Sequence, residues 1–468
     1  MNNFLVNKKI LSVCYSVFWD RFNLYGFQSI LVLYVITAFS FSDKISYSLY
    51  GSYIALSYAF AVIGGVIADR LLGFFYATVV GGVLIIFANI IFCFGNDSVF
   101  KVALAIMVVG IGFLKPNNTN LLGMIHQEDS LERNRAFSFF YTAISLGGIV
   151  GPVIFGLTSI NHAYRYAFAL NAVGMATSLL ALRQVKSFSR PQSSNFFLLK
   201  IFSIIVTSVV LSWIFISYNA VFGYFIGFGI ILAGLWSIKI IKTLSIVERG
   251  HILSLLSPIL GGVIYLAALL QIYSTITLFI ERFVDRHIFG WTIPASWFST
   301  LEPVCIFFMI PVLDWVWGRL SHRGNISAQY KIVLGLFAAC LAFLIFTMVT
   351  QMGAGDTYII ILALLLGNLL LAIGELCIIP VTMSLISLVG PLKYRSTLMG
   401  MFYFSFTFSG YLSGLVGKFQ QDKSIITADN YTFLFMGIAL ILLVTAMVIG
   451  VLNKFLKVET QKPLAQNV

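Results

Sequence analysis

Long apolar runs separated by short polar stretches recur along the whole 468-residue chain. A helix needs roughly 20 mostly apolar residues to cross the hydrocarbon core of a bilayer. Windows of that length fall near 10–38, 47–68, 74–95, 100–122, 136–158 and 163–182. Two more follow near 198–217 and 220–241, and six near 253–280, 292–317, 332–351, 357–389, 397–417 and 432–453. The pattern predicts an all-α membrane protein with fourteen transmembrane helices. The stretch from Arg183 to Lys200, with Ser, Pro and Gln among its basic residues, reads as an exposed linker. The expected layout is a six-helix bundle over 1–185, a linker and two-helix insert over 186–250, and a second six-helix bundle with a cytoplasmic tail over 251–468. Two bundles around a central cavity are the arrangement of alternating-access carriers. The first apolar run continues past the length of a signal h-region and lacks a small-residue cleavage site, so that span is expected to be kept.

Composition agrees with lipid as the solvent. The chain is 59% hydrophobic and 10% charged, where soluble chains are about 25% charged. A formal net charge of +12 would point to nucleic acid in a soluble protein; here it reads as orientation, with no nucleic-acid partner. With the N-terminus inside, most of the 29 basic residues, among them Lys8, Lys9, Arg70, Arg133, Arg135, Arg183, Arg319 and Lys454, fall on the cytoplasmic side. Only Lys44, Lys101, Arg165, Arg282, Arg286, Lys418 and Lys423 are left for the outer loops. This is the positive-inside bias, and it places both termini in the cytoplasm. The five cysteines lie far apart in apolar runs, and the five histidines are spread over separate loops or loop edges without metal spacing. No Walker lysine loop is present. An enzyme, a metal, a cofactor and ATP as the energy source within this chain are therefore not expected.

Five ionisable residues remain at membrane depth: Asp20, Arg21, Lys115, Glu302 and Glu375. Such groups are costly in hydrocarbon and carry a functional reading by default. At ~1.5 Å rise per residue, Asp20 and Arg21 sit roughly 17 Å above Lys9, near the midplane. A zwitterion with its carboxylate toward Arg21 and Lys115 and its amine toward Glu375 would bridge the two halves. The alternative is internal ion pairing. Adjacent helical residues point about 100° apart, so Asp20 and Arg21 each need a partner. Glu375 follows Gly374 in an apolar helix with no basic residue near it in sequence. Gly64-Gly65, Gly147-Gly148 and Gly151-Pro152 fit close helix packing or bending.

Five segments carry a family resemblance. They are Asp20-Arg21-Phe22-Asn23-Leu24-Tyr25-Gly26; Gly64-Gly65-Val66-Ile67-Ala68-Asp69-Arg70 with Gly73; Gly112-Phe113-Leu114-Lys115-Pro116-Asn117; Arg135 to Tyr141 with Gly147 and Gly151-Pro152; and Gly374-Glu375-Leu376-Cys377-Ile378-Ile379-Pro380. In this order the chain resembles the proton-dependent oligopeptide transporter family of the major facilitator superfamily, whose bacterial members carry a two-helix insert. The resemblance implies proton-driven uptake of di- and tripeptides across a bacterial inner membrane, by a chain that works as a monomer with the bilayer, a proton and a small-molecule substrate as its partners. It gives Arg21 and Lys115 the carboxylate end of the peptide and Glu375 the amine, with Tyr25, Tyr58, Tyr141 and Gln271 as further substrate contacts. Asp20, Glu302 and Glu375 become the candidate proton-coupling groups.

The chain also departs from that pattern. Val17 and Asp20 stand at the two acidic positions of the first motif, Gln28 at an arginine position and Ser145 at an asparagine position, while Glu302 stands where a neutral residue is expected. A weaker carboxylate clamp opens a second expectation, a single amino acid or another small amine-bearing metabolite as cargo, with altered or absent proton coupling.

Overall fold

The computed structural model describes residues 8–125, 130–188, 195–243, 245–288, 290–321, 327–352, 356–389, 395–419 and 427–455. Their helices are α1 (Lys8–Phe39), α2 (Asp43–Ile67), α3 (Gly73–Phe94), α4 (Asp97–Ile125), α5 (Ser130–Ile160), α6 (Tyr164–Leu182), α7 (Asn195–Ser217) and α8 (Asn219–Thr243). They continue as α9 (Ile246–Leu269), α10 (Thr275–Phe283), α11 (Leu301–Ser321), α12 (Ala328–Gln351), α13 (Thr357–Val389), α14 (Arg395–Lys418) and α15 (Ala428–Phe455). Among the described residues, eleven helical stretches are long and apolar enough to cross a membrane, one of them the 52-residue run Asp43–Phe94. Helix α8 contributes a shorter apolar helix, Asn219–Leu232, and α14 is not among the eleven. The protein is an all-helical, multi-pass membrane protein.

Three predicted boundaries differ in form. Helices α2 and α3 are not parted by an ordinary loop but by a π-helical turn, Ala68–Leu72, that ends at Gly73 with φ +70° and ψ 158°. Only glycine adopts that backbone without strain, which explains its place three residues after Asp69-Arg70. The seventh predicted span is broken: α9 passes into a 3₁₀ turn, Leu270–Tyr273, before α10 resumes. The eighth starts later than the apolar window. His287–Ile288 pairs antiparallel with Trp291–Thr292 in a small hairpin, with Gly290 at φ +80°. Pro294 holds Ile293 out of helical conformation, and a 3₁₀ turn, Ala295–Thr300, leads into α11.

The chain forms two compact units, one of residues 1–222 with 294–300 and one of residues 223–293 with 301–468. In the first, α1 is buried along much of its length and lies along α5, with α4 and α6 beside it, while α3 packs on α4 and α6. Phe27, Phe92, Phe155 and Phe168 meet at ring-centroid distances of 5.0–5.7 Å. Beneath them, Asn89 and Asn171 both donate to Asn23 Oδ1, a buried polar joint of α1, α3 and α6. In the second unit, α12 packs on α13 and α15, and α9 on α13 and α14. Phe279, Phe343, Phe346, Tyr431 and Phe435 form its aromatic core.

Candidate functional site

The first unit positions its charges by bringing backbones together. A Cβ at Gly147 of α5 would overlap Phe18 O and come within 2.8 Å of Arg21 Cβ, and one at Gly151 would meet Phe22 O. These two glycines, four residues apart on one helix face, let α5 lie directly on α1 where Arg21 projects. The same device joins α2 to α4, where Gly64 abuts Gly112 O and Gly112 abuts Phe60. That contact sets Lys115 Nζ 4.0 Å from the centroid of the Tyr58 ring, a cation–π arrangement.

Asp20 is 0% exposed and Arg21 8%. The Asp20 Oδ2 lies 3.6 Å from Arg21 Nε, and Lys115 is the second cation that acts on the carboxyl electrostatically. Yet among the described residues both Asp20 oxygens and Arg21 Nε lack a hydrogen-bond partner, as does the Tyr53 hydroxyl, which also bears on Asp20. Buried polar groups are nearly always hydrogen-bonded, so the described residues leave this cluster unsatisfied. Of the other expected contacts, Tyr25 is half-buried with its ring on Gly148. Tyr141 is 66% exposed on α5, and no hydrogen bond joins its hydroxyl to the cluster among the described residues.

The departures have structural reasons. Val17 belongs to an apolar cluster with Val13, Cys14, Phe75, Leu121 and Phe140, where a carboxylate would have no partner. Gln28 donates to the Tyr50 hydroxyl at 3.2 Å. Sequence reasoning overlooked Tyr50 and Tyr53. Their three-residue spacing with Tyr47, which puts all three on one face of α2, was the available signal.

In the second unit Gly374 is the close-approach point. A Cβ there would fall 2.8 Å from the Tyr265 ring and 3.0 Å from Gly335 O, so α13 seats against both α9 and α12. Tyr265, also overlooked, donates to Leu371 O at 2.6 Å and braces the turn that carries Glu375. Glu302 is 4% exposed in the first turn of α11, an end of the helix that favours an acid. The Glu302 and Glu375 carboxyls lie close enough to act on each other electrostatically, and among the described residues Glu302 Oε1 has no hydrogen-bond partner. Among the described residues no Lys or Arg forms an ion pair with either. Gln271 has a different occupation. Its amide nitrogen donates to Ala267 O (3.0 Å), Ser413 O (3.2 Å) and Ser413 Oγ (3.0 Å), and its oxygen accepts from Thr275 Oγ1 at 3.0 Å. These bonds pin the broken helix to α14 rather than leaving the amide for a ligand.

The POT family model (PTR2) matches residues 70–434, a stretch that contains Lys115, Glu302 and Glu375 and begins after Asp20 and Arg21. The chain belongs to the POT family. It is thus a membrane transporter of the major facilitator superfamily and not an enzyme. Like other POT proteins, it has bacterial relatives along nearly its whole length. It is 26% identical to the uncharacterized transporter YclF of Bacillus subtilis, over 92% of this chain and 93% of that one. It is 25% identical to the peptide transporter YePEPT of Yersinia enterocolitica, over 93% and 91%, and 28% identical to a di-/tripeptide transporter of Lactococcus lactis subsp. cremoris, over 84% and 86%. The POT fold itself is matched by a crystal structure of a peptide transporter POT in complex with sulfate, at TM-score 0.84 and 24% identity over 97% and 96% of the two chains. A POT family transporter in complex with 5-aminolevulinic acid matches at TM-score 0.81 and 21% identity, over 97% and 98%.

Proposed function

We propose that this protein is a proton-coupled symporter of di- and tripeptides in the bacterial inner membrane. In this reading it crosses the bilayer fourteen times, as bundles over 1–185 and 251–468 with the insert over 186–250, and keeps both termini in the cytoplasm. It works by alternating access as a monomer, without a cofactor. The observation that carries the proposal is the segregation of buried charge. Two cations act on one carboxylate in the first unit, and in the second two carboxyls act on each other with no Lys or Arg paired to them among the described residues. Arg21 and Lys115 receive the carboxylate of the cargo and Glu375 its amine, beside Tyr25 and Tyr58. Tyr141 keeps a place as a contact on the exposed face of α5, and Gln271 supports the site through the helix break. The coupling proton rides on Asp20, Glu302 or Glu375. Uptake of alanyl-alanine into proteoliposomes under an inward proton gradient tests this. Lys115→Ala and Glu375→Gln should each abolish it, and wild-type uptake by either variant overturns the assignment.

A second reading keeps the fold and changes the cargo to a single amino acid or another small amine-bearing metabolite, with altered or absent proton coupling. Gln28 favours it, because a neutral amide bound to Tyr50 supplies no third cation for a carboxylate. The fold's occurrence with 5-aminolevulinic acid is consistent with such cargo. Competition by free amino acids without competition by dipeptides would select this reading.

A further inference from the structure

In the first unit α3 ends where α6 begins, and the Cys93 thiol ties the two ends by donating to Arg165 O at 3.4 Å. Between these helices runs a groove of about 460 Å³, within the range of roughly 300–1,000 Å³ that ligand sites occupy. Its α3 wall carries Ile86, Ile90 and Phe94, spaced so that all three share one face, and its α6 wall carries Ala169, Val173 and Ala176. Large side chains opposite small ones leave the hollow open. Ile90 is 45%, Val173 61% and Phe94 88% exposed. None of the lining comes from α1, α2 or α4, the helices that carry the charged cluster, so this apolar face is turned to lipid. From Arg165 to Ala176 the helix rises ~16 Å, which matches the hydrocarbon depth of one leaflet, roughly 15 Å. A single acyl chain fits that length.

The mouth of the groove is cationic. Arg165 stands one turn above Ala169 on the same face of α6, in a first turn that holds no acid. Its guanidinium lies 5.1 Å from the centroid of the Tyr166 ring, and Nη2 donates to the Tyr166 hydroxyl at 3.3 Å. Among the described residues no acid forms an ion pair with Arg165, and none lines the groove. A guanidinium beside the positive end of a helix sets like charge against like, and an anion relieves it. Phosphate oxygens fit the fork of a guanidinium, and the Tyr166 hydroxyl, which accepts from Arg165, keeps its own O–H to donate. We propose that this groove holds one anionic phospholipid of the surrounding bilayer, with an acyl chain along the hollow and the phosphodiester on Arg165 and Tyr166. A soluble phosphate would use the mouth and leave the hollow, whereas an ordinary boundary lipid would use the hollow without needing Arg165. The site is separate from the cargo and coupling residues, and in the orientation proposed above it faces the outer leaflet.

Photo-crosslinking tests it. The full chain is reconstituted into phosphatidylcholine vesicles with a minor share of phosphatidylglycerol that carries a diazirine on one acyl chain, and the labelled peptides are mapped by mass spectrometry. Label should concentrate on residues 86–94 of α3 and 165–176 of α6. Arg165→Gln should cut that label about fivefold, the worth of one basic residue at an anionic lipid surface, and Arg165→Lys should keep most of it. Ala169 is exposed, so Ala169→Phe fills the hollow without disturbing the core; it should cut the label at least as far while the melting temperature stays that of the wild type. An excess of glycerol phosphate should not compete. Equal labelling of the wild type and Arg165→Gln marks an ordinary boundary lipid and overturns the proposal. Labelling that ignores Ala169→Phe overturns it as well, because the chain then lies elsewhere. Competition by glycerol phosphate gives the mouth to a soluble anion and overturns the lipid as its occupant.

Discussion

Gln271 separates a binding role from a supporting one. The substitution Gln271→Leu keeps most of the side-chain volume and removes every hydrogen bond of the amide. Those include two to Ser413 across to α14, at 3.2 and 3.0 Å, and the acceptor for Thr275 Oγ1. Ser274 also donates to this oxygen at 3.4 Å but keeps Leu270 O at 3.3 Å. Hydrogen bonds between side chains inside membrane proteins average about 0.6 kcal/mol and reach about 1.7 kcal/mol. With two ties to α14 and one orphaned hydroxyl, the loss should be about 1–3 kcal/mol. The purified variant should melt at a lower temperature than the wild type, and the KM for alanyl-alanine uptake, normalised to folded protein, should stay within about twofold. A tenfold rise in KM corresponds to about 1.4 kcal/mol of lost binding. Such a rise with an unaltered melting temperature would refute the supporting role and return Gln271 to the cargo contacts.

Gly374→Ala adds a methyl 2.8 Å from the Tyr265 ring and 3.0 Å from a backbone carbonyl; overpacking costs about 1–3 kcal/mol, so uptake and melting temperature should fall together. Asn23→Leu removes the acceptor shared by Asn89 and Asn171; Asn89 keeps Ile85 O, so the Asn171 amide is the buried donor left unpaired, at about 1–3 kcal/mol, and thermal melting should report it. Outside the membrane, Asp285 accepts from the His287 backbone N–H and meets its ring nitrogen, and this holds the Asp285 carboxyl below its usual range. A depressed folded-state value stabilises the hairpin above the ordinary carboxylate range and ceases to as pH falls through the folded value. Protection of the His287 amide, its exchange relative to the intrinsic rate at the same pH, should therefore fall only on acidification, and Asp285→Asn should remove that dependence.

The sequence made the helices legible because burying about 20 apolar residues per crossing leaves a signal no soluble fold imitates. Of the glycines read as packing sites, Gly64, Gly147 and Gly151 stand at backbone contacts, whereas Gly65 has open space around it and Gly148 meets only the Tyr25 ring. What stayed hidden was long-range or directional. The break at Leu270–Tyr273 falls inside an apolar window, and its tie, Ser413, lies 142 residues away. The exposure of Tyr141 on α5 could not be read either, because helices apolar on all sides carry little periodicity to say which face is which. Glu302 was visible as an oddity, but its partner was not, since nothing local in either segment links α11 to Glu375.

The departures from the family pattern have opposite consequences in the two units. In the first, Val17 fills an apolar cluster and Gln28 bonds a tyrosine. An acid and a cation are both missing there, and the remaining Asp20, Arg21 and Lys115 still leave an excess of positive charge. In the second, Glu302 adds an acid and no cation answers it among the described residues. Neutral substitution takes a charge out of the first unit, where Asp20 and Lys115 remain, whereas an added acid without a cation must be desolvated or neutralised in the second. Asp20 in the first unit and Glu302 and Glu375 in the second are thus the carboxyls on which the proposed coupling proton can ride. Loss of coupling in Asp20→Asn would place that proton in the first unit, and its loss in Glu302→Gln would place it in the second. The ratio of accumulation to exchange in Asp20→Asn and Glu302→Gln measures where it lies.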